Sequence, residues 1–213
     1  PGGIERLRRE IEAVAAGEFN IVIGTQLVAK GHHFPYLSLV GVVDADLGLT
    51  SGDPRAAERT FQMLGQVTGR AGRGHTAGRA LLQSYDPEHP VIRALVSGDA
   101  ERFYREEIAQ REAAGLPPFG RLASLIISAN DRLSAESHAR ALARVAEPPA
   151  GVIVLGPAEA PIAVIRGRHR FRILVKTERS VPIQTYLKEW LARAPKPTGN
   201  VRVGVDIDPQ SFY

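Results

Sequence analysis

The chain has 213 residues, of which 44% are hydrophobic and 23% charged, an ordinary composition for a globular protein of one large or two small domains. It contains no cysteine, which excludes disulfide bonds and thiolate zinc sites within these residues. No apolar run approaches the roughly 18 residues of a membrane span, and the start lacks the apolar core of a signal peptide, so we expect a cytoplasmic protein without a membrane partner.

Charge is distributed unevenly along the chain. Residues 1–113 hold 13 basic and 15 acidic side chains, a net charge of −2, whereas residues 114–213 hold 14 and 8, a net charge of +6. A positive field suits a phosphate-rich partner. A basic surface that is simply solvated is the alternative interpretation.

The first half of the chain predicts an α/β fold. An amphipathic helix is expected over residues 4–16, followed by apolar runs at 20–25 and 37–46 that predict buried strands of a parallel sheet. A helix from Ala56 leads towards a glycine-rich stretch, and RALLQS, residues 79–84, predicts a further strand. Residues 89–114 predict helical structure broken once at SGD.

The sequence GLPPFG, residues 115–120, marks the predicted domain boundary. Two prolines between glycines end a helix and fix a turn. We therefore predict one domain over residues 1–114 and a second over residues 115–213. The segments of the second domain predict the order β-α-β-β-α-β, a ferredoxin-like pattern of an α+β fold.

Three residues of the second domain carry structural expectations. Ser134 is predicted to cap the first of its helices. Tyr186 and Trp190 lie four residues apart on its second helix, at core spacing. We expect both aromatic side chains to be buried.

The stretch QVTGRAGRG, residues 66–74, combines a glutamine, two spaced arginines and several glycines. Arg70 and Arg73 lie three residues apart, on one side of a helix or tight turn, and the small residues between them let another surface approach. Each guanidinium group offers five donors and stays charged, so the pair suits a triphosphate on a neighbouring surface. A flexible surface loop would explain two arginines alone, but the full string is more specific.

A second candidate segment, GTQLVAKGHHFP, follows the first predicted strand. Gly24 and Thr25 stand at a strand end, a common ligand position in open α/β sheets, and the threonine hydroxyl can bond a nucleic-acid phosphate. Lys30 adds charge, while Gly31 permits close approach of the backbone. A plain turn between strand and loop would explain Gly24 and Thr25 alone.

Two further patterns were considered as metal sites. His32 and His33 are adjacent, and neighbouring residues of an extended chain point to opposite faces, so they do not easily share one ion. Asp44 and Asp46 lie on one face of the second strand's end, and a carboxylate pair can hold Mg²⁺. They can equally position neighbouring segments by hydrogen bonds or cap the strand. We predict no metal site in this chain.

Arginines alternate through RGRHRFR in the second domain. On a strand, a period of two would place all four on one face, with His169 and Phe171 on the other. Such a row suits a phosphate track, and the alternative is an exposed strand kept soluble by charge. The residues of the row are Arg166, Arg168, Arg170 and Arg172.

These motifs resemble those of a known family. QVTGRAGR resembles motif VI of superfamily 2 helicases, and IGTQLVAKGHHFP resembles their motif V. The form GTQxxAKGHxFP, with LPPFGRLA and VLGPAEAPIAVIRGRHRFRILV, is similar to the bacterial replication-restart helicases over nearly the whole chain. A related branch-migration helicase is the competing resemblance.

The resemblance implies a partial RecA-like helicase lobe 2 with a parallel sheet, followed by an α+β C-terminal domain. Gln66, Arg70 and Arg73 would then face the γ-phosphate of ATP across a cleft. The phosphate loop, the magnesium carboxylates and the zinc-binding cysteines would lie elsewhere in a longer parent. The residues implied to couple nucleotide to DNA are Gly24, Thr25, Gln26, Lys30, Gly31 and Asp46.

For that parent the resemblance implies an ATP-dependent 3′-to-5′ DNA helicase that restarts stalled forks and initiates primosome assembly, in the bacterial cytoplasm and associated with the nucleoid. ATP, Mg²⁺ and zinc would be its cofactors. Its partners would be branched and single-stranded DNA, single-stranded DNA-binding protein and other primosome proteins. Without a phosphate loop, the isolated chain should hydrolyse no ATP. A stand-alone, non-enzymatic nucleic-acid-binding module is the alternative.

Overall fold

The computed structural model describes residues 3–25, 34–49, 53–69 and 78–210. They form two compact units, each with its own hydrophobic core. The first contains the described residues up to Tyr104 except 53 and 54, which belong with the residues from Arg105 onwards to the second. The domain boundary after residue 114 stays a prediction. No helix within the described ranges is both long and apolar enough to cross a membrane.

Apart from residues 20–25, the helices and strands of the first half follow the predicted order. The parallel sheet consists of β1 and β2, which pair from Leu39 with Arg79 to Val42 with Leu82. The break in the helical stretch lies between α3 and α4, as predicted. The elements are α1 (Gly3–Ala15), β1 (Leu39–Val42), α2 (Ala56–Thr68), β2 (Arg79–Leu82), α3 (Pro90–Ser97) and α4 (Ala100–Ala113).

Local sequence explains the ends of α3. Pro90 stands at its first turn, where the missing N–H is no loss, and the Nδ1 atom of His89 accepts a hydrogen bond from the Val91 N–H at 3.2 Å. Gly98 ends the helix with a φ of 70°, a conformation that glycine adopts without strain. Between these ends the helix buries Val91 and Ile92 in the core of the first unit.

The expectation of a buried strand at residues 20–25 is wrong. This segment forms no strand, and Ile21, Val22 and Ile23 are 81%, 43% and 93% exposed. An extended chain needs a neighbour to satisfy its backbone groups. Among the described residues β1 pairs with β2, and no strand pairs with 20–25.

The second half confirms the β-α-β-β-α-β order. Its four strands form one antiparallel sheet in the order β4-β5-β3-β6. The elements are β3 (Gly120–Ala129), α5 (Arg132–Arg144), β4 (Val152–Ile165), β5 (Arg168–Glu178), α6 (Ile183–Arg193) and β6 (Arg202–Ile207).

The two helices α5 and α6 cover one face of this sheet. Alternate residues of β3 and β5, such as Leu125 and Ile173, meet them in a buried core. Trp190 is fully buried there and its Nε1 donates to the Leu142 carbonyl at 3.1 Å, while the Tyr186 hydroxyl donates to the Ala146 carbonyl at 2.7 Å. The core positions predicted for both aromatic residues are confirmed. The opposite side of the sheet is called the helix-free face below.

The N-cap of α5 is Asp131 rather than Ser134, so that prediction is wrong. Helix α5 begins at Arg132, and the Asp131 carboxylate accepts a hydrogen bond from the Ser134 N–H at 2.8 Å. An aspartate three residues before a free N–H satisfies it as a serine would. Hydrogen bonds from the backbone and then from the side chain of Ser134 lower the pKa of Asp131.

The GLPPFG turn is closed by its own backbone and fixed to β5. The Gly120 N–H donates to the Leu116 carbonyl at 3.1 Å, and the Lys176 ammonium group donates to the Ala114 carbonyl at 2.9 Å. A Cβ atom on Gly120 would collide with the Gly115 carbonyl oxygen and lie 2.8 Å from that of Thr177. The close approach of these backbones therefore requires glycine at position 120.

Candidate strand-end site and nucleic-acid interface

The helix that leads to the arginine pair is well defined, although Arg70 and Arg73 lie outside the described residues. Helix α2 ends at Thr68, whose hydroxyl donates to the Leu64 carbonyl at 2.8 Å. The Gly69 N–H donates to the Gly65 carbonyl at 3.0 Å. Gln66 is exposed on the last turn. Gly69 therefore lies just after the end of α2 and does not weaken its interior.

The residues expected to couple nucleotide to DNA are only partly described. Gly24 and Thr25 are exposed at the end of the unpaired segment 20–25. The structure does not bring them together with Asp46 in a described contact. Gln26, Lys30 and Gly31, like His32 and His33, lie outside the described residues.

Asp46 joins the ends of the two parallel strands. Its Oδ1 accepts a hydrogen bond from the Ser84 hydroxyl at 2.8 Å, and its Oδ2 accepts one from the Tyr85 N–H at 2.7 Å. Backbone pairing continues beside it, since the Ala45 N–H donates to the Gln83 carbonyl at 2.8 Å. The bond from Tyr85, and then that from Ser84, hold the pKa of Asp46 below its ordinary value.

This geometry bears on the choice between metal binding and hydrogen bonding. Both Asp46 oxygens accept hydrogen bonds from the end of β2, which fits a cap between strand ends. In the described part of the chain, no three acidic, histidine or cysteine side chains gather closely enough to hold a metal ion. The geometry of Asp46 therefore favours hydrogen bonding between the strand ends over metal binding.

The arginine row of β5 differs from the expected four residues on one face. Strands β4 and β5 pair as far as Ile165 with Arg168, so Arg166 and Gly167 form the turn between them. Their φ angles of 50° and 73° are those of a two-residue hairpin turn. The placement of Arg166 on the strand is wrong because the chain reverses at this residue.

Arg168 binds other parts of the same unit. Its Nη2 donates to the carbonyls of Ser128 and Asn200 at 2.8 and 2.7 Å, and its Nη1 donates to Asn130 Oδ1 at 3.0 Å. Its Nε also lies 3.3 Å from the Ser128 hydroxyl. Most of its donors are therefore engaged within the fold, and Arg168 braces the end of β3.

Arg170 and Arg172 share the helix-free face with Arg168. Arg172 is half-buried, and burial lowers the pKa of its guanidinium group, opposed by the charge of Asp53. Arg170 donates from Nη1 to the Ile162 carbonyl at 3.2 Å. The row thus contains one turn residue, one internal brace and two strand residues in different surroundings.

Arg202 is a candidate that the linear pattern missed. It is the exposed first residue of β6, and it pairs across the sheet with Ser128, which pairs on its other side with Arg170. Residues paired in this way point to the same face. The signal lay in the ferredoxin-like pattern, which in this fold places the last strand beside the first.

Comparison with known proteins shows which domain the second half of the chain resembles. Residues 112–210 match the family model described as the primosomal protein N C-terminal domain. The second half of the chain is therefore similar to that domain. The match overlaps the predicted α+β C-terminal domain.

The chain as a whole is similar to proteins named Replication restart protein PriA. It is 43% identical to that of Rickettsia felis over 209 residues, which are 98% of this chain and 32% of that protein. The protein of Treponema pallidum is 39% identical over 95% of this chain and 31% of its own length. That of Bacillus subtilis is 36% identical over 95% and 25%. The chain thus spans about a third or less of each PriA relative and matches its C-terminal part.

Proposed function

We propose that this chain is part of an ATP-dependent 3′-to-5′ DNA helicase that restarts stalled replication forks and initiates primosome assembly in the bacterial cytoplasm, at the nucleoid. The carrying observation is that one chain combines QVTGRAGR with a primosomal protein N C-terminal domain. Similarity to the PriA proteins along 95–98% of the chain supports it.

In this proposal the first half supplies one wall of an ATP site. Arg70 and Arg73, with Gln66 beside them, act on the γ-phosphate from this side of a cleft. The phosphate loop and the magnesium carboxylates come from another lobe of the parent. Arginine placed against transition-state charge accelerates phosphoryl transfer by on the order of 10³ to 10⁵ where it has been tested.

The residues from Gly24 to Gly31 would transmit movement of the cleft to a DNA strand. The Thr25 hydroxyl and Lys30 contact phosphates, and Gly24 and Gly31 let the backbone approach, with Gln26 between them. The hydrogen bonds from Ser84 and Tyr85 to Asp46 join the ends of β1 and β2, and the chain after β1 continues into α2 with Gln66. Segments attached to those ends would then move together.

The second half would bind branched and single-stranded DNA, single-stranded DNA-binding protein and other primosome proteins. Its net charge of +6 from residue 114 onwards supports a phosphate-rich partner. Zinc, when bound, would stabilise another part of the parent. This chain has no cysteine, so it provides no thiolate ligand for that metal.

The test uses a longer protein that includes the phosphate loop. Arg73→Ala should lower DNA-stimulated ATP turnover by on the order of 10³ while nucleotide binding changes little. Arg9→Ala removes an exposed arginine from α1 in the same unit and should leave turnover unchanged. Turnover near wild type in Arg73→Ala, or ATP hydrolysis by the 213-residue chain alone, would contradict the proposal.

A stand-alone nucleic-acid-binding module is the second candidate. The positive charge of the second half favours it, and it predicts DNA binding by the chain that weakens steeply with salt. It also predicts that a longer protein hydrolyses no ATP. A related branch-migration helicase is a weaker alternative, because the matched C-terminal domain family supports the replication-restart proteins instead.

A further inference from the structure

Two arginines that lie far apart in sequence become neighbours on the helix-free face. Ser128 of β3 pairs with Arg170 of β5 on one side and with Arg202 of β6 on the other. Neighbouring strands lie about 4.8 Å apart, so the two arginine Cα atoms stand about 10 Å apart across Ser128. The pair runs across the strands, whereas the expected row follows one strand.

Both guanidinium groups keep donors for a ligand. Arg202 is exposed, and Arg170 has one described hydrogen bond, from Nη1 to the Ile162 carbonyl. Within the described ranges neither arginine forms an ion pair with a carboxylate. A guanidinium group carries five N–H donors, so most of this capacity stays available.

Arg168 holds in place the end of β3 on which the pair of arginines stands. Its guanidinium group binds the Ser128 and Asn200 carbonyls, and the Asn130 N–H donates to Asn200 Oδ1 at 2.9 Å. These bonds tie the end of β3 to the turn that precedes β6. The register between Ser128 and Arg202 is therefore fixed before any ligand binds, which reduces the entropy lost on binding.

The surroundings of the pair favour a chain of phosphates over a single ion. Gly204 pairs with Ile126 on the same face and adds no side chain to the surface beside Arg202. The acidic residue of β6 on this face, Asp206, pairs with Ser124 two positions further along. The Ser128 hydroxyl lies between the arginines and can donate to a third oxygen.

We propose that Arg170 and Arg202 form a two-point site for the phosphodiester backbone of a single nucleic-acid strand that crosses β5, β3 and β6. The site rests on the proposed DNA-binding function of the second half and gives it a location. Arg168 acts as a positioning residue, and Arg166 contributes no contact that the site requires.

The test measures binding of the 213-residue chain to a fluorescently labelled single-stranded oligodeoxythymidine by anisotropy over a series of salt concentrations. Arg170→Ala and Arg202→Ala should each reduce the slope of log K against log salt by about 0.7, the value for one phosphate contact to a single strand. Arg144→Ala is the matched control, because it removes an exposed arginine at the end of α5, in the helix layer. It should keep the wild-type slope.

Other results would overturn the site. An unchanged slope in Arg202→Ala, or an equal loss in Arg144→Ala, contradicts it. Arg202→Lys keeps the charge and should retain most of the slope, which separates lost contact from lost folding if the alanine variant is unstable. If the wild-type chain binds no oligonucleotide, the proposed DNA-binding function fails; if it binds and both variants bind equally well, only this site fails.

A polyglutamate peptide of matched charge serves as the second probe. The phosphodiester site predicts weak peptide binding that does not depend on Arg170 and Arg202. Peptide binding as tight as oligonucleotide binding, with the same loss in both variants, would overturn the assignment to nucleic acid. Thermal unfolding of each variant, followed by circular dichroism, confirms that the compared chains are folded.

Discussion

The carboxylate of Asp46 fastens the end of β1 to Ser84 at the end of β2, with 2.8 Å between Oδ1 and the serine hydroxyl. The neighbouring Tyr85 N–H donates to the other oxygen at 2.7 Å. The two strands pair through only four residues each, so this side chain extends a short parallel contact beyond its backbone ladder. Stability of the first half should therefore depend on a residue that the sequence presented as a metal or coupling candidate.

Asp46→Asn should lower the thermal midpoint, because an amide nitrogen cannot accept the hydrogen bond that a carboxylate oxygen accepts. The depressed pKa adds a pH signature. The stabilisation by the ionised Asp46 carboxylate is present above the ordinary aspartate pKa of about 4 and is lost as pH falls through the lower folded pKa. The thermal midpoint of the variant should therefore depend less on pH in this acidic range. Asp44→Asn, which removes the neighbouring carboxylate, is the control in the same thermal melts. Equal effects of both substitutions would refute a stabilising role of the hydrogen bonds from Ser84 and Tyr85 to Asp46.

Gly120→Ala should destabilise the second unit. Its Cβ atom would collide with the Gly115 carbonyl, and overpacking of this kind typically costs about 1–3 kcal/mol. Gly204→Ala is the control on the same sheet, since its Cβ atom would meet only the Ile126 carbonyl oxygen at 4.0 Å. Urea unfolding should separate the two, with the control within about 0.5 kcal/mol of wild type. A neutral Gly120→Ala would show that the turn can move.

His138 should make stability fall on mild acidification. Its Nε2 is buried without a hydrogen-bond partner among the described residues, and burial lowers the pKa of the imidazole. The unfolded chain takes up this proton near pH 6.5 and the folded chain only at lower pH, so folding loses stability as pH falls below about 6.5. His138→Leu should flatten the change in urea midpoint between about pH 7.5 and pH 5.5. The same slope in His138→Leu would exclude this residue as the source.

Substitutions of Arg168 and Arg166 should affect the stability of the protein differently, although the two residues lie two positions apart in one arginine-rich stretch. Arg168→Gln removes the donors to the Ser128 and Asn200 carbonyls and should cost about 1–2 kcal/mol in urea unfolding. Arg166→Gln, in the exposed turn, should stay within about 0.5 kcal/mol of wild type. Similar losses in both variants would mean that general charge, and not bracing, explains the effect.

Patterns that depend on a residue's own neighbours were predicted well from the sequence. The helix predicted from Ala56 is α2, and the spacing of Tyr186 and Trp190 predicted the buried side of α6. These periodicities hold because one face of each element must meet a core. The order of the six elements in the second half followed from the same local signals.

Features that depend on a partner elsewhere in the chain were missed or misplaced. Segment 20–25 has the composition of a strand, but a strand exists only where another lies beside it, and none of the described strands does. Arg202 became a candidate only through its pairing with Ser128. The bonds of Arg168 to Asn130 and Asn200 show that it acts within the fold and does not belong to a row of ligand-binding arginines. Each relation joins residues more than 30 positions apart, beyond the reach of any local pattern.

The pairing of Ser128 with both Arg170 and Arg202 has a consequence for how the protein is made. A ribosome delivers β3 and β5 well before β6, so a nascent chain displays one half of the arginine pair while the other half is still missing. The pair would be completed only when the final strand docks against β3. Folding intermediates that lack β6 should then be retained more weakly on immobilised oligonucleotide than the chain with a completed sheet.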